Sequence, residues 1–388
     1  MPRTIIFHVA LALLILEFTN AQQLCTDLEK EMNAVAAERN ATSPCNCYYD
    51  GVFNGVRGIS IGCASAPVSQ IFEALQTLNY TKVASLTIRD SLVNILTSNI
   101  FEMVQPQKLF IERCSLSIIR NNTIDSLGAS LEQLSLRKNK LKKLEPTIFN
   151  GLKNVKSLDL SINKLQVIPQ NVFNDLTNLE ELVLNENEIF DIEDGAFEKL
   201  KNLKRLTINK NKLTEIRGDT FKGLENLETL QIRDNFITNI DWSDNTSFLK
   251  PLEKLAYLQL SNNNLTTIRS SELPRSLSHF AADHNSISKI EPKAFEGIAL
   301  KRIYLNSNRL HFLHQNAFAS FAPETIEAID LSYGGHQALT RARRADSDLH
   351  KLIENDNNTF ENAAASSLIL AAPKAAGTPK KSVRFEDC

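Results

Sequence analysis

Residues 131–237 speak one phrase five times. Leu131–Leu141 reads LEQLSLRKNKL, Val155–Leu165 reads VKSLDLSINKL and Leu179–Ile189 reads LEELVLNENEI. Leu203–Leu213 reads LKRLTINKNKL and Leu227–Ile237 reads LETLQIRDNFI. The middle leucines Leu134, Leu158, Leu182, Leu206 and Leu230 stand 24 residues apart, in the frame L-x-x-L-x-L-x-x-N-x-L. A fixed period of this size marks a unit that buries its core only against its neighbours, so the chain is a solenoid. Leucines at positions four and six point inward from a short strand, while those at one and eleven close the layer. Each buried aliphatic side chain is worth roughly 1.5–3 kcal/mol relative to exposure. The asparagine at position nine stands where the chain turns out of the strand. Its amide has the donors and acceptor to satisfy backbone groups that the turn leaves unpaired.

The frame extends in both directions. Upstream, Val83–Val93 (VASLTIRDSLV) puts Ser91 at position nine, and Pro106–Leu116 (PQKLFIERCSL) puts Cys114 there, which reads as a buried thiol in the ladder. Downstream come Leu255–Leu265 (LAYLQLSNNNL), after an insertion at Trp242–Lys250, then Leu277–Ile287 (LSHFAADHNSI) and Leu300–Leu310 (LKRIYLNSNRL). The last, Ile326–Gly335, has Gly334 in place of asparagine. Eleven strands are expected between Val83 and Tyr333. Between strands a second phrase recurs (TIFNGLKN, NVFNDLTN, GAFEKLKN, DTFKGLEN), and its Phe149, Phe173, Phe197 and Phe221, with Phe295 and Phe318, read as a convex spine. The fold class is α/β: a curved horseshoe of about eleven repeats, with a parallel concave sheet and a disulfide-bonded N-terminal cap.

The chain start indicates the compartment. Arg3, an apolar run over Ile5–Leu16 and short side chains at Thr19 and Ala21 fit a signal peptide over 1–21, since the run is too short for a bilayer that needs about 20 apolar residues. Four of six cysteines (Cys25, Cys45, Cys47 and Cys63) cluster before the repeats. One residue between Cys45 and Cys47 is too few for a usual zinc pair, so disulfides are expected. Three connectivities are open. First-to-third and second-to-fourth is the expected one. A helix over Gln22–Arg39 and a hairpin over Cys45–Cys63 would make 22–82 a cap for the repeats at 83–335. Sequons at Asn40, Asn79, Asn121, Asn245, Asn264 and Asn357 are candidate glycan sites. No second apolar run reaches membrane-spanning length, so a secreted, extracellular protein without membrane insertion is expected. Residues 336–388 change composition and read as a disordered tail. Within it Arg341, Arg343 and Arg344 form either a furin-type processing site or a solvated charge run.

No catalytic motif is present: no G-x-S-x-G, no H-E-x-x-H and no glycine-rich phosphate loop. His279, Asp283 and His284 lie close in one repeat, but their frame positions read as two exposed imidazoles rather than a metal site. A net charge of −2 gives no overall field for nucleic acid. Function is therefore expected on the concave face, where positions three, five, seven and eight project. The early repeats place Arg89, Phe110, Arg113 and Arg137 there, with Lys108 and Lys138. Asp159, Glu181 and Glu186 follow, then Arg205 and Lys210. Later repeats place Tyr257, His279, His284, Tyr304 and Tyr333 on neighbouring strands, and Tyr and Arg are frequent interface anchors.

The repeats over 83–334 resemble those of extracellular leucine-rich repeat proteins. The cysteine cluster departs from their usual cap, because the gap from Cys25 to Cys45 is long and carries a helix. Cys45-x-Cys47 with a distant Cys63, followed by Gln70–Leu78 (QIFEALQTL), is similar to secreted arthropod leucine-rich repeat proteins, a group that includes a non-catalytic luciferase subunit. The resemblance implies a partner-binding component with no active site and no cofactor. Its partner would be a protein ligand or an enzyme subunit, with no nucleic acid. An accessory subunit of a luciferase-like monooxygenase and a matrix or receptor-ectodomain-like adhesion protein are the alternative expectations.

Overall fold

A leucine at every fourth frame position is buried only if each strand lies beside the next in exact step, and the structure has that register. This computed structural model describes residues 21–53, 56–97, 100–240, 247–270, 272–310, 326–331 and 369–371. For 50–53, 56–57 and 369–371 it describes the backbone alone. The chain divides into two units, Met1–Gln259 and Leu260–Cys388.

The first unit opens with a helix over 21–37. It buries Cys25, Leu28 and Met32, spaced three and four residues apart on one face. Strands Cys45–Phe53 and Val56–Ala64 form an antiparallel hairpin. Disulfides join Cys25 to Cys47 and Cys45 to Cys63, and the Cys47 amide donates to Glu29 Oε1 at 3.0 Å, so helix and hairpin are tied together. Val56–Ala64 also pairs in parallel with Thr81–Arg89, Ile61 opposite Leu86 and Cys63 opposite Ile88. The parallel sheet thus begins one layer before the first recognisable phrase, because Ile61 and Cys63 already occupy positions four and six. Helix Val68–Gln76 connects the two layers and buries Ile71, Ala74 and Leu75.

From Thr81–Arg89 the parallel sheet runs through Val104–Glu112, Gln133–Ser135, Ser157–Asp159, Glu181–Val183, Arg205–Thr207, Thr229–Gln231 and Tyr257–Gln259. Leu86, Leu109, Leu134, Leu158, Leu182, Leu206, Leu230 and Leu258 stand opposite one another in turn, all fully buried or nearly so. Each position-nine asparagine from Asn139 to Asn235 donates from Nδ2 to the position-six carbonyls of its own and the preceding repeat, at 2.7–3.4 Å. Oδ1 accepts the position-eleven amide of the preceding repeat. Cys114 imitates this in part: its buried thiol lies 3.4 Å from the Ile88 carbonyl and 3.2 Å from that of Glu112. Burial raises the pKa of that thiol, which keeps it protonated.

On the opposite side Phe149, Phe173, Phe197 and Phe221 stack with centroids 5.8–6.0 Å apart. Phe248 continues the row edge-on at 5.8 Å; it belongs to the insertion, where no spine residue was expected. A second asparagine row closes the connecting phrase. Asn154, Asn178, Asn202 and Asn226 donate to Gly128, Lys153, Thr177 and Lys201 carbonyls. The recurring final asparagine of NGLKN, LTN, LKN and LEN was the signal for it.

In the second unit Phe280, Ile303 and Ile329 register across strands His279–Ala281, Arg302–Tyr304 and Ala328–Asp330. Asn285 and Asn308 bind carbonyls and amides as their counterparts do. Ile369–Ala371 pairs antiparallel with Ala328–Asp330; the rest of 336–388 lies outside the described residues. Also outside them are residues 1–20, Trp242, Asn245, Phe318, Tyr333, Arg341, Arg343, Arg344 and Asn357.

Candidate protein-binding face

Position eight sets the edge of the face. Asp90, Arg113, Lys138, Ile162, Glu186, Lys210, Asp234, Asn262, His284 and Ser307 all have φ between 49° and 59°. This left-handed residue turns the chain out of each strand and delivers the following residue, an asparagine except for Ser91 and Cys114 in the first two repeats, to position nine. Arg113 and Lys138 in the first unit, and His284 in the second, are exposed where their own strands end.

In the early repeats charge is organised around Phe110. This half-buried ring is in register with Thr87 on one side and Ser135 on the other. Arg113 grips Asp90 with a two-bonded fork, Nε to Oδ1 and Nη2 to Oδ2, both 2.7 Å. That contact holds the Asp90 carboxyl below its ordinary range and the guanidinium above its own. Arg89 lies 3.5 Å from Glu112, whose other oxygen accepts the Ser135 hydroxyl at 2.9 Å. Arg137 and Lys138 are exposed and close no ion pair among the described residues.

The middle repeats are occupied with their own chemistry. At positions five and seven, expected to project, several polar side chains are instead buried: Ser135, Thr207, Gln259, Ser161, Asn209 and Ser261 are all under 10% exposed. Short polar side chains sink between longer neighbours. Asn185 accepts the Asn209 amide, and Asn209 accepts that of Arg233, so these groups are spent on the next turn's backbone. Glu181 and Glu186 face Arg205 and Lys210 at 3.6 and 3.4 Å. Where the strands begin, a groove of about 430 Å³ is lined by Lys156, Glu180, Lys204 and Glu228 among others. Lys156 pairs with Glu132 and Lys204 with Glu180, so alternating sign neutralises it.

Tyr257 opens its strand and is 40% exposed, in register with Thr229. In the second unit the row expected side by side is staggered. His279 stands opposite Arg302, whereas Tyr304 stands opposite Ala281 and Asp330, because His279 fills position three and Tyr304 position five. His279 is also not the exposed imidazole expected. It is 8% exposed, with Nδ1 2.8 Å from the Ser278 hydroxyl, and burial lowers its pKa. Burial likewise raises the pKa of the half-buried Tyr304 phenol. His284 is exposed with Nδ1 2.8 Å from Asp283, whose other oxygen accepts the Ser261 hydroxyl. No cluster of metal-ligating side chains occurs among the described residues. Neither does a helix long and apolar enough to cross a membrane. The sequons Asn40, Asn79, Asn121 and Asn264 are exposed, the first two in turns with φ of 54° and 44°.

A stacked parallel sheet with an asparagine ladder and a polar open face defines a class of solenoid, and comparison with known proteins gives the family. Models described as leucine rich repeat match residues 129–189, 177–237, 201–253 and 254–280, and one described as a BspA type leucine rich repeat region (6 copies) matches 274–369. P-granule-associated novel protein 1 of Caenorhabditis elegans is 37% identical, over 99% of this chain and 100% of its own. The chain belongs to the leucine-rich repeat family. A chain of the TLR13–ssRNA13 crystal structure superposes with a TM-score of 0.51 at 25% identity, over 65% of this chain and 39% of that one. This chain therefore spans well under half of that protein. A chain of the octameric Latrophilin 3–Unc5D–FLRT2 complex gives 0.52 at 21% identity, over 69% of this chain and 79% of its own.

Proposed function

We propose that this is a secreted, non-enzymatic protein that holds a protein partner on the open face of its parallel sheet. The observation that carries the reading is the exposure of Arg113, Arg137, Lys138 and Tyr257 along a sheet whose strand ends are tied from repeat to repeat by a row of buried asparagines. Arginine and tyrosine on a rigid support form contacts without a large ordering cost. Two disulfides fit an oxidising compartment, and the expected signal peptide, carbohydrate on the exposed sequons and cleavage after Arg344 belong to the same reading. The accessory-subunit and adhesion alternatives differ from it only in what the partner does.

The test is capture from native fluid with the glycosylated full chain as bait, followed by mass spectrometry and repeated with Tyr257→Ala, Tyr304→Ala and Arg137→Glu. A stoichiometric protein released by at least one face substitution supports the reading, and an enzyme in that role selects the accessory-subunit version. If nothing is retained, or the retained protein ignores every face substitution, the reading fails. The TLR13 complex contains RNA, so an RNA-only capture would replace protein with nucleic acid as the ligand.

A further inference from the structure

The open face is not electrically uniform, and its imbalance is local. In repeats four to six the acids Glu181 and Glu186 are matched by Arg205 and Lys210, and the third acid, Asp159, in register with Ser135, accepts the Ser161 amide. In the first three repeats five cations (Arg89, Lys108, Arg113, Arg137 and Lys138) share the face with two carboxylates, Asp90 and Glu112. Both carboxylates are already engaged, Asp90 by the Arg113 fork and Glu112 by Arg89 and the Ser135 hydroxyl. These contacts spend the negative charge in fixing two guanidinium groups, and leave Arg137 and Lys138 exposed beside them. At the centre is an apolar ring, Phe110, half-buried between Thr87 and Ser135.

We propose that this patch, Arg89 to Lys138, receives an acidic segment of the protein partner, with carboxylates on Arg113, Arg137 and Lys138 and an apolar side chain against Phe110. The inference rests on the open-face reading and names the chemistry of its partner. Interleaved carboxylates and a central aromatic favour a mixed polypeptide over a uniform polyanion, which gains nothing from Phe110 and is repelled by Asp90 and Glu112. Arg meets carboxylates through two parallel bonds, which the exposed Arg137 guanidinium can offer, while Arg113, whose Nε and Nη2 hold Asp90, adds only its remaining edge.

The frame itself supplies variants that fold. Position seven carries a glutamate at Glu112, and position eight carries one at Glu186 with φ 55°. Arg137→Glu with Lys138→Glu therefore introduces only residues the chain already tolerates at those positions. The probe is a fluorescent glutamate-rich peptide centred on one tyrosine, measured by polarisation against the wild-type chain and the double variant. A lysine-rich counterpart, single-stranded RNA and heparin serve as rivals. The expected result is saturable binding of the acidic peptide alone, weakened about tenfold or more by the double variant and falling as salt rises from about 0.05 to 0.3 M. Phe110→Ser, which copies Ser135 at position five, weakens it further. Absence of saturable binding, indifference to the double variant, or tighter binding of RNA or heparin each overturns the proposal. The two readings fail separately. A native partner released by Tyr257→Ala but unaffected by the double variant keeps the open face and removes the acidic segment.

Discussion

The Leu165 amide donates to Asn187 Oδ1 at 3.0 Å, across the boundary between two repeats. The Asn187 amide nitrogen returns the tie, to the Leu160 carbonyl of the earlier repeat at 3.0 Å and the Leu184 carbonyl of its own at 3.1 Å. One buried side chain thus closes backbone groups on two turns at once, and the solenoid is held by polar bonds as well as by leucine.

Asn187→Ala removes those bonds and strands the Leu165 amide away from water, while the Leu160 and Leu184 carbonyls keep the bonds from Asn163 and Asn211. One buried unsatisfied group costs about 1–3 kcal/mol and each lost hydrogen bond about 0.5–1.5 kcal/mol, so a net loss of about 2–4 kcal/mol is expected. Urea unfolding followed by circular dichroism measures it, and a loss below about 0.5 kcal/mol would show that the ladder is dispensable.

Ile162 has φ 55°, whereas Asn262 has the same φ at the same frame position. A β-branched residue is strained in the left-handed region, and asparagine enters it readily. Ile162→Asn should stabilise the chain by about 1 kcal/mol, visible as a raised denaturation midpoint with an unchanged slope. A lowered midpoint would mean that the half-buried isoleucine contributes more through packing than it costs in strain.

His279 gives stability a pH dependence. Burial first, and the nearby Arg302 charge second, hold its folded pKa below the ordinary 6.5, with Glu327 opposing. The unfolded state then takes up the proton more readily, so stability is fully present above 6.5 and declines as pH falls through 6.5 toward the folded value. Comparing thermal unfolding at about pH 7.5 and about pH 5.5, His279→Gln should lose less than wild type. Glutamine is already used at position three by Gln133. Equal losses in both proteins would assign the dependence to other groups.

The disulfides stabilise the cap locally. Cys45–Cys63 closes a separation of 18 residues and Cys25–Cys47 one of 22, each worth about 3 kcal/mol in the loop-closure account. With Cys45→Ser and Cys63→Ser together, hydrogen exchange should rise over 45–64 well before it rises over 131–237, since each repeat contacts only its neighbours. Simultaneous loss across both regions would instead show a single cooperative unit.

The patterned leucines and asparagines made most of the fold legible. A period of 24 residues with buried Leu134, Leu158, Leu182 and Leu206 leaves one stacking register, because slipping by one residue would turn every leucine outward. The phenylalanine spine was readable in the same way, since Phe149 to Phe221 recur in a fixed phrase. Phe248 was not, because it reaches its place through an insertion that breaks the count. The layer formed by Ile61 and Cys63 was hidden for a related reason: its strand serves the hairpin and the parallel sheet together.

The candidate face divides differently. Local spacing alone determined which positions lie on the sheet, and so which residue types could reach a partner there. Tertiary packing decided which of them do. His279 is covered while Tyr257 is not, though both fill position three, because exposure depends on the lengths of side chains on neighbouring turns. Ion pairing is likewise a property of adjacent repeats: Glu186 is matched by Lys210, while Arg137 and Lys138 close no ion pair among the described residues. Periodicity fixes direction within one strand, but accessibility and net charge are set by residues 24 positions away, which only stacking brings together.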